Sequence, residues 1–432
     1  MKSSCIPSSL QLSAIGLCAL LACDGGTDLC EGVFCDDQNA CTQDRCDGAT
    51  GRCVYPPVSD GTECDFAGLP GVCSEGFCAD ANLCAGVDCD DQNECTDERC
   101  VAATGLCERA DRPDGTPCSA GGCEGGVCTS EFACTKDGIL NAIAAGGGPY
   151  TFACEGPTRI TIGPTRIDND VTLDGENDLT VEGTFIVDAG VVGELRRLTI
   201  TEGCCGSWND LAAGGAIFNA GTLTLKGCTL TRNHGDAGGA IFNDEGVLTL
   251  IDSTVSWNTD AAAGGALYNN KGTVTMTNST LSENDAGDGG AFYTDGGSVT
   301  LIHCTIARGF LANRIANDGG VVTMTGTLLE GTCSLDPVAS GGHNLESPGD
   351  TCGLTGTNDQ VGVSDDELKL GDLQNNGGDT DTQAPAPGSA AIDVIAEDDC
   401  SATADQRGEP RPAGTTDPKL CDVGSVEVQA SD

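Results

Sequence analysis

The chain is poor in basic residues, in histidine and in aromatic residues. Its 432 residues include 20 Lys and Arg against 66 Asp and Glu, which gives a formal net charge of −46. Such a surface repels phosphates and lacks the basic stripe that counterion release requires, so nucleic acid is an implausible partner. Only 3 His are present, and none lies in the cysteine-rich part of the chain, which argues against zinc sites there.

Long apolar runs are also missing, apart from a short stretch near the N-terminus. Lys2 precedes an apolar segment that ends in Leu20-Leu21-Ala22-Cys23, and this segment is too short and too interrupted by Ser to be a good membrane span. The segment resembles a bacterial lipoprotein signal. In that family the Cys of the box is lipidated and becomes the mature N-terminus, so the resemblance implies a signal peptide over residues 1–22 and a lipid anchor on Cys23. The alternative is an ordinary cleaved signal peptide with an incidental Cys.

Cysteine, by contrast, is abundant. Of the 29 Cys, Cys5, Cys18 and Cys23 lie in the signal segment, which leaves 29 − 3 = 26, an even number that favours an exported, disulfide-bonded protein. Sixteen of these form two modules, placed at residues 23–80 and 81–130, in which the same spacing recurs. Neither module has enough large apolar residues for a core, so disulfides worth about 2–4 kcal/mol each are expected to stabilise them. The sequence does not choose among the possible pairings.

Each module carries a block of acidic residues that could offer oxygen ligands to Ca²⁺. The blocks lack the Gly turn and the terminal bidentate Glu of a helix-loop-helix calcium site. We therefore favour a solvated acidic surface on a spacer, with calcium as the alternative cofactor. The residues concerned are Asp36, Asp37 and Asp44 in the first module and Asp90, Asp91 and Asp97 in the second.

A repeat of about 25 residues dominates the second half of the chain. GGAIFN at residues 214–219 recurs as GGAIFN from Gly238, GGALYN from Gly264 and GGAFYT from Gly289, at offsets of 24, 26 and 25 residues. An alternation of apolar and polar residues follows each copy, which is typical of short strands. A unit of this size holds no helix of useful length, so neighbouring units must stack to bury their apolar faces. The repeat predicts an all-β fold, a parallel β-solenoid.

Residues one period apart form uniform columns, as stacking requires. Two columns of Asn are expected at turns, where stacked amides can bond to each other and to the backbone. Their members are Asn219, Asn243, Asn269 and Asn317 in one column and Asn233, Asn258 and Asn284 in the other. A further column is expected to face outward as a solvated strand face, with a hydroxyl array for ice or glycan as the alternative; it consists of Thr229, Thr254, Thr280 and Thr305.

A short amphipathic helix is predicted just before the coils. The stretch from Asp137 to Ala145 is followed by Gly146-Gly147-Gly148, and a bridge between Cys134 and Cys154 would tie its ends. A solenoid needs such a cap, because its first coil would otherwise expose apolar core and unpaired strand edges. We place the cap at residues 131–155 and the coils at residues 156–332.

The repeat region resembles two known groups of proteins. Residues 134 to about 332 resemble the pectin-lyase-like right-handed parallel β-helix proteins, and the GGAIFN copies resemble the GGAI and FxxN repeats of polymorphic outer-membrane adhesins. The resemblance implies a right-handed parallel β-helix.

The C-terminal part, residues 333–432, resembles the conserved segment of bacterial surface proteins called choice-of-anchor Q. The resemblance implies local bridges between Cys333 and Cys352 and between Cys400 and Cys421, and it implies location in the outer membrane or at the cell surface. Arg407 and Arg411 are expected to pair with nearby carboxylates. The motifs that carry the resemblance are GGHNL at 341–345, NGG at 376–378, PGSAAID at 387–393, DQRGEPR at 405–411 and CDVGSVE at 421–427.

The chain lacks a complete residue set for polysaccharide cleavage. The motifs of a polygalacturonase-like site, which resemble NTD, a paired Asp, GHG and RIK, do not occur together. His234 and His343 are expected in Gly-rich turns and His303 on a strand, without ligand spacing. We therefore assign no catalytic residue and expect a non-catalytic envelope lipoprotein that presents its β-helix for adhesion or for binding a polysaccharide or surface protein, with the modules as spacer. The alternatives are a polysaccharide lyase or glycoside hydrolase, which would have a groove gathering carboxylates and a base, and a purely structural spacer.

Overall fold

The computed structural model describes most of the chain. It covers residues 29–66, 69–80, 84, 86–101, 106–119, 121–204, 214–260, 262–310, 313–413 and 419–429. The predicted signal segment and Cys23 lie outside the described residues. The backbone contacts define two compact units, Met1–Asp90 with Glu98–Glu108, and Asp91–Asp97 with Arg109–Asp432.

The disulfide modules consist of short strands joined by turns. One two-stranded sheet is formed by β1 (Arg45–Asp47) and β2 (Arg52–Val54), and another by β6 (Thr96–Val101) and β7 (Leu106–Asp111). Two sheets have three strands: β3 (Glu63–Phe66), β4 (Leu69–Ser74) and β5 (Phe77–Asp80), and then β8 (Pro117–Cys118), β9 (Gly121–Glu124) and β10 (Val127–Thr129).

The two modules share one disulfide connectivity. In each, the first cysteine pairs with the fourth, the second with the fifth, the third with the seventh and the sixth with the eighth. The pairs are Cys30–Cys46, Cys35–Cys53, Cys41–Cys73 and Cys64–Cys78 in the first module, and Cys84–Cys100, Cys89–Cys107, Cys95–Cys123 and Cys118–Cys128 in the second. The duplication seen in the spacing therefore extends to the pairing, which the sequence left open.

A helix, α1 (Lys136–Ala145), precedes the coils as predicted. Thr135 caps it by accepting a hydrogen bond from the N–H of Gly138 at 3.1 Å, and Gly146 ends it at a φ of 63°. Its apolar side is buried against β11 (Glu131–Ala133) and β12 (Gly147–Ala153). The disulfide between Cys134 and Cys154 fixes both ends of this cap.

Two long parallel sheets form the walls of the solenoid. The strands of the coils are β13 (Thr158–Ile167), β14 (Val171–Asp174), β15 (Leu179–Val187), β16 (Val192–Arg196), β17 (Thr199–Thr201), β18 (Ile217–Asn219), β19 (Thr222–Lys226), β20 (Thr229–Thr231), β21 (His234–Gly235), β22 (Ile241–Asp244), β23 (Val247–Ile251), β24 (Thr254–Ser256), β25 (Thr259–Asp260), β26 (Leu267–Asn270), β27 (Thr273–Thr277), β28 (Thr280–Ser282), β29 (Phe292–Asp295), β30 (Ser298–Ile302), β31 (Thr305–Ala307), β32 (Asn313–Asp318), β33 (Val321–Thr325), β34 (Leu328–Leu335), β35 (Ala339–Ser340) and β36 (Leu345–Pro348). One sheet has ten strands in the order β11-β12-β14-β16-β19-β23-β27-β30-β33-β35. The other has fourteen strands, in the order β13-β15-β17-β20-β24-β28-β31-β34-β32-β29-β26-β22-β18, with β36 paired to β34.

The register keeps equivalent residues of successive repeats above one another. Leu223 pairs with Leu248, which pairs with Val274, and the column continues through Val299 to Val322. All five side chains are fully buried or nearly so and belong to one continuous apolar core. The stacking predicted from the 25-residue period is confirmed.

Buried polar ladders run along the same axis. Asn219 Nδ2 donates to Asn243 Oδ1 at 2.8 Å, and Asn243 Nδ2 donates to Asn269 Oδ1 at 2.8 Å. Asn317, farther along this column, donates from Nδ2 to the carbonyl of Pro337 at 3.3 Å. In the second column, Asn233 Nδ2 donates to Asn258 Oδ1 and Asn258 Nδ2 donates to Asn284 Oδ1, each at 2.9 Å. These amides satisfy each other at turns that exclude water.

A third ladder was not apparent from the sequence. The backbone N–H of Cys228 donates to Ser253 Oγ at 3.1 Å, that of Ser253 to Ser279 Oγ at 3.2 Å, and that of Cys304 to Thr327 Oγ1 at 3.3 Å. Cys228 and Cys304 are therefore thiols in a column of hydroxyls, and burial raises the pKa of each thiol to about 12. Their place in the ladder explains two buried cysteines that are not in disulfides.

The C-terminal residues 376–413 and 419–429, here called the clasp, lie along one turn of the coils. In each coil, this turn comes directly after the strand that belongs to the ten-stranded sheet, and it contains a residue with positive φ. Thr380 Oγ1 donates to the carbonyl of Asp252 at 3.0 Å, and the N–H of Gly424 donates to the carbonyl of Gly326 at 2.8 Å. The remaining C-terminal elements are α2 (Asp365–Leu368), β37 (Ile395–Ala396), a 3₁₀ turn (Glu397–Asp399) and β38 (Leu420–Cys421), with disulfides Cys333–Cys352 and Cys400–Cys421. The turn residues with positive φ are Arg197, Gly227, Asp252, Asn278, His303 and Gly326.

The clasp overturns one prediction about the threonine column. Thr254, Thr280 and Thr305 point outward but are buried, because Gln406 and Ser425 cover them. Gln406 Nε2 donates to Thr254 Oγ1 at 2.8 Å, and Thr280 Oγ1 donates to Gln406 Oε1 at 2.6 Å. The expected solvated face, or an exposed hydroxyl array, is therefore wrong for these three residues, since the alternation that marks an outward face does not reveal what packs on it.

Two histidine positions also differ from the prediction. His303 lies in the turn after β30, at a φ of 47°, and not on a strand. His234 lies in the two-residue strand β21. Both residues stand where strand and turn meet, which is the least defined part of a repeat pattern.

Replacing Asn258 by Ala tests the energetic role of the ladders. The change removes the acceptor of the Asn233 N–H and the side-chain donor to the carbonyl of Leu230, while Asn284 Oδ1 keeps only the bond from the backbone N–H of residue 258. We expect a loss of about 3–5 kcal/mol in the free energy of unfolding, measured by urea denaturation. Thr249→Val on the half-exposed face of β23 is the control and should change stability by less than about 1 kcal/mol. Equal effects of the two changes would refute a special role for the Asn column.

Candidate functional site

The outer face of the fourteen-stranded sheet carries a stack of aromatic rings. Strands β18, β22, β26 and β29 each point one aromatic side chain outward, and these are Phe218, Phe242, Tyr268 and Tyr293. The residues on either side of each ring point inward: Ile, Leu or Phe precedes the ring, and Asn or Thr follows it. Consecutive ring centroids are 5.6, 5.2 and 5.0 Å apart, and the ring planes differ by 13° to 23°. The rings therefore cover each other's faces and turn their edges outward.

A column of carboxylates and one amide runs beside the rings. Asp244, Asn270, Asp295 and Asp318 are paired in register on β22, β26, β29 and β32 and are half-buried or exposed. Asn270 Nδ2 donates to Asp244 Oδ1 at 2.6 Å, and the hydroxyl of Tyr293 donates to Asp318 Oδ2 at 2.9 Å. These bonds fix the side chains while leaving carboxylate oxygens free to accept from a ligand. We call the two columns together the aromatic–carboxylate ladder.

The phenols of this ladder remain protonated at physiological pH. Burial and the hydrogen bond to Asp318 raise the pKa of Tyr293 to about 12. Burial, followed by the charges of Asp295 and Asp318, raises the pKa of Tyr268. The ladder thus offers apolar ring edges, phenolic hydroxyls and carboxylate acceptors, repeated once per coil.

A second feature is a groove between the coils and the clasp, here called the clasp groove. It has a volume of about 400 Å³. Its walls combine acidic and basic side chains, whereas the core beneath is apolar. The lining residues are Asp174, Arg196, Arg197, Lys226, Gly227, Asp252, Gly378, Asp379, Gln406, Arg407 and Gly408.

Several charges of the groove are held by fixed partners. Arg197 binds Asp174 with two parallel bonds, from Nε at 2.9 Å and from Nη2 at 2.6 Å. Asp379 Oδ1 accepts from Asn177 Nδ2 at 2.9 Å. Burial raises the pKa of Asp252 to about 6, against the opposing influence of Asn278 and Lys226. The groove therefore gathers carboxylates beside basic groups, one of them able to exchange a proton near neutral pH.

Under the clasp lies a buried ionic network. Arg407 Nε donates to Asp405 Oδ2 at 2.9 Å, and Arg411 Nε lies 3.6 Å from Glu427 Oε2, so the expected pairing of both arginines with carboxylates is confirmed. Arg411 Nη1 donates to His303 Nδ1 at 2.6 Å, which requires a neutral imidazole. Burial and the charge of Arg411 lower the pKa of His303 to about 3, in agreement with that role.

The acidic blocks of the modules form local turns and ion pairs. Asp37 Oδ1 accepts from the N–H of Asn39 at 3.0 Å, and Asp36 Oδ1 accepts from the N–H of Gln38 at 2.8 Å. In the second module, Asp91 Oδ2 lies 3.1 Å from Arg109 Nε. Asp97 Oδ1 lies 2.9 Å from Arg112 Nε, but Asp97 stands where the first module has Gln43, and the counterpart of Asp44 is Glu98. Calcium at these residues stays a prediction.

Sequence reasoning missed both candidate sites for different reasons. The fifth letter of each GGAIFN copy is Phe or Tyr, so the ring stack was visible as a column but was not separated from the fold signal. The groove joins residues more than 150 positions apart, such as Lys226 and Arg407, and a repeat pattern gives no information on where the C-terminal segment docks. Residues 205–211, just before the first GGAIFN copy, lie outside the described residues.

Comparisons with known proteins identify the type of coil. The family model described as "Right handed beta helix region" matches residues 168–306. The fold is a right-handed parallel β-helix. The match covers the regular coils and the strands that carry the ring stack, and it implies no particular activity, because this fold hosts many functions.

Three proteins of Dictyostelium discoideum are similar to parts of the chain. Protein psiQ is 27% identical over 226 residues, which are 48% of this chain and 22% of psiQ. Protein psiR is 30% identical over 130 residues, 27% of this chain and 13% of psiR, and protein psiJ is 35% identical over 91 residues, 17% and 11% respectively. The matched regions span less than a quarter of each relative. No solved structure matches the chain.

The network under the clasp predicts a pH dependence of stability. Burial, the charge of Asp422 and fixed hydrogen bonds set the pKa of the fully buried Glu427 at about 7, above the ordinary value of 4.5. A raised carboxyl pKa contributes stability that is complete below the unfolded value and is lost as pH rises through the folded value. His303, with a lowered pKa, acts in the opposite sense but only below about pH 6.5.

We therefore expect the free energy of unfolding to fall between pH 6.5 and pH 8 by about 1 kcal/mol, and Glu427→Gln to flatten this fall. The amide supplies only one acceptor for the N–H groups of Ala413 and Asp422, so absolute stability drops and the slope is the relevant quantity. Urea denaturation at several pH values measures it. An unchanged slope in the variant would show that Glu427 does not titrate in this range.

Proposed function

We propose that this protein is an exported, surface-anchored β-helix protein that binds polysaccharide without cleaving it, along the aromatic–carboxylate ladder. The observation that carries the proposal is the repetition of one ring and one polar acceptor per coil, at spacings of 5.0 to 5.6 Å between ring centroids. A single small ligand would need only one such pair. A polymer with a repeat near this spacing can use all of them.

An extended β-linked polysaccharide matches the ladder in both length scale and chemistry. Its sugar repeat is close to the coil spacing, so a chain laid along the solenoid axis places one sugar on each coil. The C–H groups of the sugar contact the outward ring edges of Phe242, Tyr268 and Tyr293, and its hydroxyls donate to Asp244, Asp295 and Asp318. Because the acceptors are carboxylates on a chain of net charge −46, a neutral polymer fits better than an acidic one.

The cysteine content supports export. Eleven disulfides among the described residues indicate an extracellular or secreted protein. Over the described ranges, no helix is long and apolar enough to cross a membrane. In the proposal, Cys23 carries a lipid that holds the protein in the envelope, the two modules act as spacer, and the choice-of-anchor Q resemblance of the C-terminal part belongs to the same surface context.

Polysaccharide cleavage in the clasp groove is the second candidate. It is favoured by Asp252, a half-buried carboxyl whose pKa of about 6 suits proton transfer near neutral pH, next to Asp174 and Asp379. This is the kind of groove that distinguishes an enzyme from a binding module. Every binding test below therefore also records reducing ends and unsaturated products.

The double variant Asp295→Ala/Asp318→Ala tests the ladder. It removes two acceptors and releases the Tyr293 hydroxyl, and we expect at least a tenfold loss of affinity for a β-linked neutral glucan or mannan in affinity electrophoresis. Asp366→Ala/Asp398→Ala removes the same charge from exposed positions outside the ladder and should leave binding unchanged. Unimpaired binding by the ladder variant would refute the site. Release of product by the wild type would refute the non-catalytic part and favour cleavage.

Cys23→Ser tests the anchor. If Cys23 is lipidated, the wild type expressed in a Gram-negative bacterium incorporates a palmitate analogue and partitions with membranes, and the variant does neither. Cys18→Ser, inside the apolar part of the signal, is the control and should keep both properties. A soluble, unlabelled wild type would leave an ordinary cleaved signal peptide as the explanation.

A further inference from the structure

The clasp groove concentrates positive charge in a strongly acidic protein. Arg196, Arg197, Lys226 and Arg407 line it, so 4 of the 20 basic residues of the chain face one space of about 400 Å³. If the basic residues were spread evenly along the chain, few of them would line the same groove. Repeat stacking does not explain the cluster, because the register that pairs Arg196 with Lys226 continues with Ile251 and Thr277.

The basic groups differ in how much of their binding capacity is already used. Arg407 donates to Asp405, to the carbonyl of Glu427 and to the carbonyl of Asn376, so it belongs to the clasp itself. Arg197 donates from Nε and Nη2 to the carboxylate of Asp174, and these two bonds hold its side chain in place.

Two of the cations keep donors for a ligand. Arg196 donates from Nη2 to Glu194 at 2.8 Å, and 35% of its side chain is exposed. Lys226 is exposed and projects its ammonium from the end of β19.

The opposite wall supplies acceptors. Asp252 is half-buried on the next turn of the coils, and Asp379 reaches the groove from the clasp with one carboxylate oxygen engaged by Asn177. Carboxylates of this kind accept hydrogen bonds from hydroxyl groups. A ligand that fills the groove must therefore present an anionic group on one side and hydroxyls on the other.

Glycine residues keep the groove open. A Cβ at Gly378 would lie 2.6 Å from the Cα of Arg407, and one at Gly227, where φ is 61°, would lie 3.3 Å from Asp379 Oδ2. Larger residues here would close the space or displace the clasp. The groove is therefore a stable gap between two parts of the chain that otherwise contact each other closely.

We propose that the clasp groove binds a compact, polyhydroxylated ligand that carries one oxyanion, with the oxyanion on Lys226 and Arg196 and the hydroxyls on Asp252 and Asp379. A sugar acid and a sugar phosphate both have this chemistry. The site is separate from the aromatic–carboxylate ladder and goes beyond the proposed polymer binding. Because coils and clasp both contribute to it, the ligand also holds the clasp on the coils.

Isothermal titration calorimetry of the full chain with glucuronate, glucose 6-phosphate, glucose and inorganic phosphate tests the site. We expect at least one of the two sugar anions to bind at least tenfold more tightly than glucose and than inorganic phosphate, and its binding to weaken as salt is raised. The tighter of the two identifies the oxyanion as carboxylate or phosphate ester. Equal binding of glucose and the sugar anions, or no binding of either anion, would overturn the proposal.

Variants of Lys226 separate a binding role from a structural one. Lys226→Ala should reduce the affinity for the sugar anion at least tenfold, Lys226→Arg should restore most of it, and Lys136→Ala, which removes the same charge from an exposed position on α1, should have no effect. The Asp295→Ala/Asp318→Ala variant should bind the sugar anion like the wild type. Full affinity in Lys226→Ala would overturn the assignment, whatever the outcome for polymer binding on the ladder.

Discussion

Each coil of this solenoid must place its turn residues directly under those of the next coil, because the turns are buried and their polar groups have few other partners. The amide of Asn258 illustrates the constraint: its Oδ1 accepts from both the N–H and the Nδ2 of Asn233, and its own Nδ2 donates to Asn284 and to the carbonyl of Leu230. A shift of one residue in any coil would break several of these bonds at once. The register is thus determined by polar ladders as much as by the apolar core, which alone would tolerate exchanges of similar volume.

The same constraint produces repeated surfaces. When inward residues are locked in register, the residues between them are locked too, so an outward Phe or Tyr in each repeat becomes a stack with ring spacings of 5.0 to 5.6 Å. No coil can move its ring without moving its ladder residues. A polymer-binding surface on such a scaffold is therefore preorganised, and little conformational entropy remains to be lost when a ligand binds.

The sequence predicted the features that depend on one period and missed those that depend on what packs against the coils. The helix over α1, the columns of Asn and the apolar core follow from spacing and alternation, and all of them occur. Thr280 shows the limit: alternation places it outward, but its hydroxyl contacts Gln406, which lies 126 residues farther along the chain. The column of Cys228, Ser253 and Ser279 was missed because a thiol and a hydroxyl look unrelated in sequence although they occupy the same place in a ladder.

The clasp is held on the coils by contacts that differ from those between one coil and the next. Its contacts with the coils combine a small apolar cluster, which joins Leu328 and Leu345 to Ile395 and Val423, with polar bonds and buried charges. Of these charged residues, Arg411, Asp422 and Glu427 are almost entirely enclosed. Buried charges are costly unless they are paired and hydrogen-bonded, so they favour one docking position over all others while adding little net stability. A segment held in this way is well defined in position yet sensitive to protonation and to ligands that bridge it to the coils. The mixed charges of the clasp groove lie at the edge of this contact, where a bound ligand can supplement the polar bonds that hold the clasp.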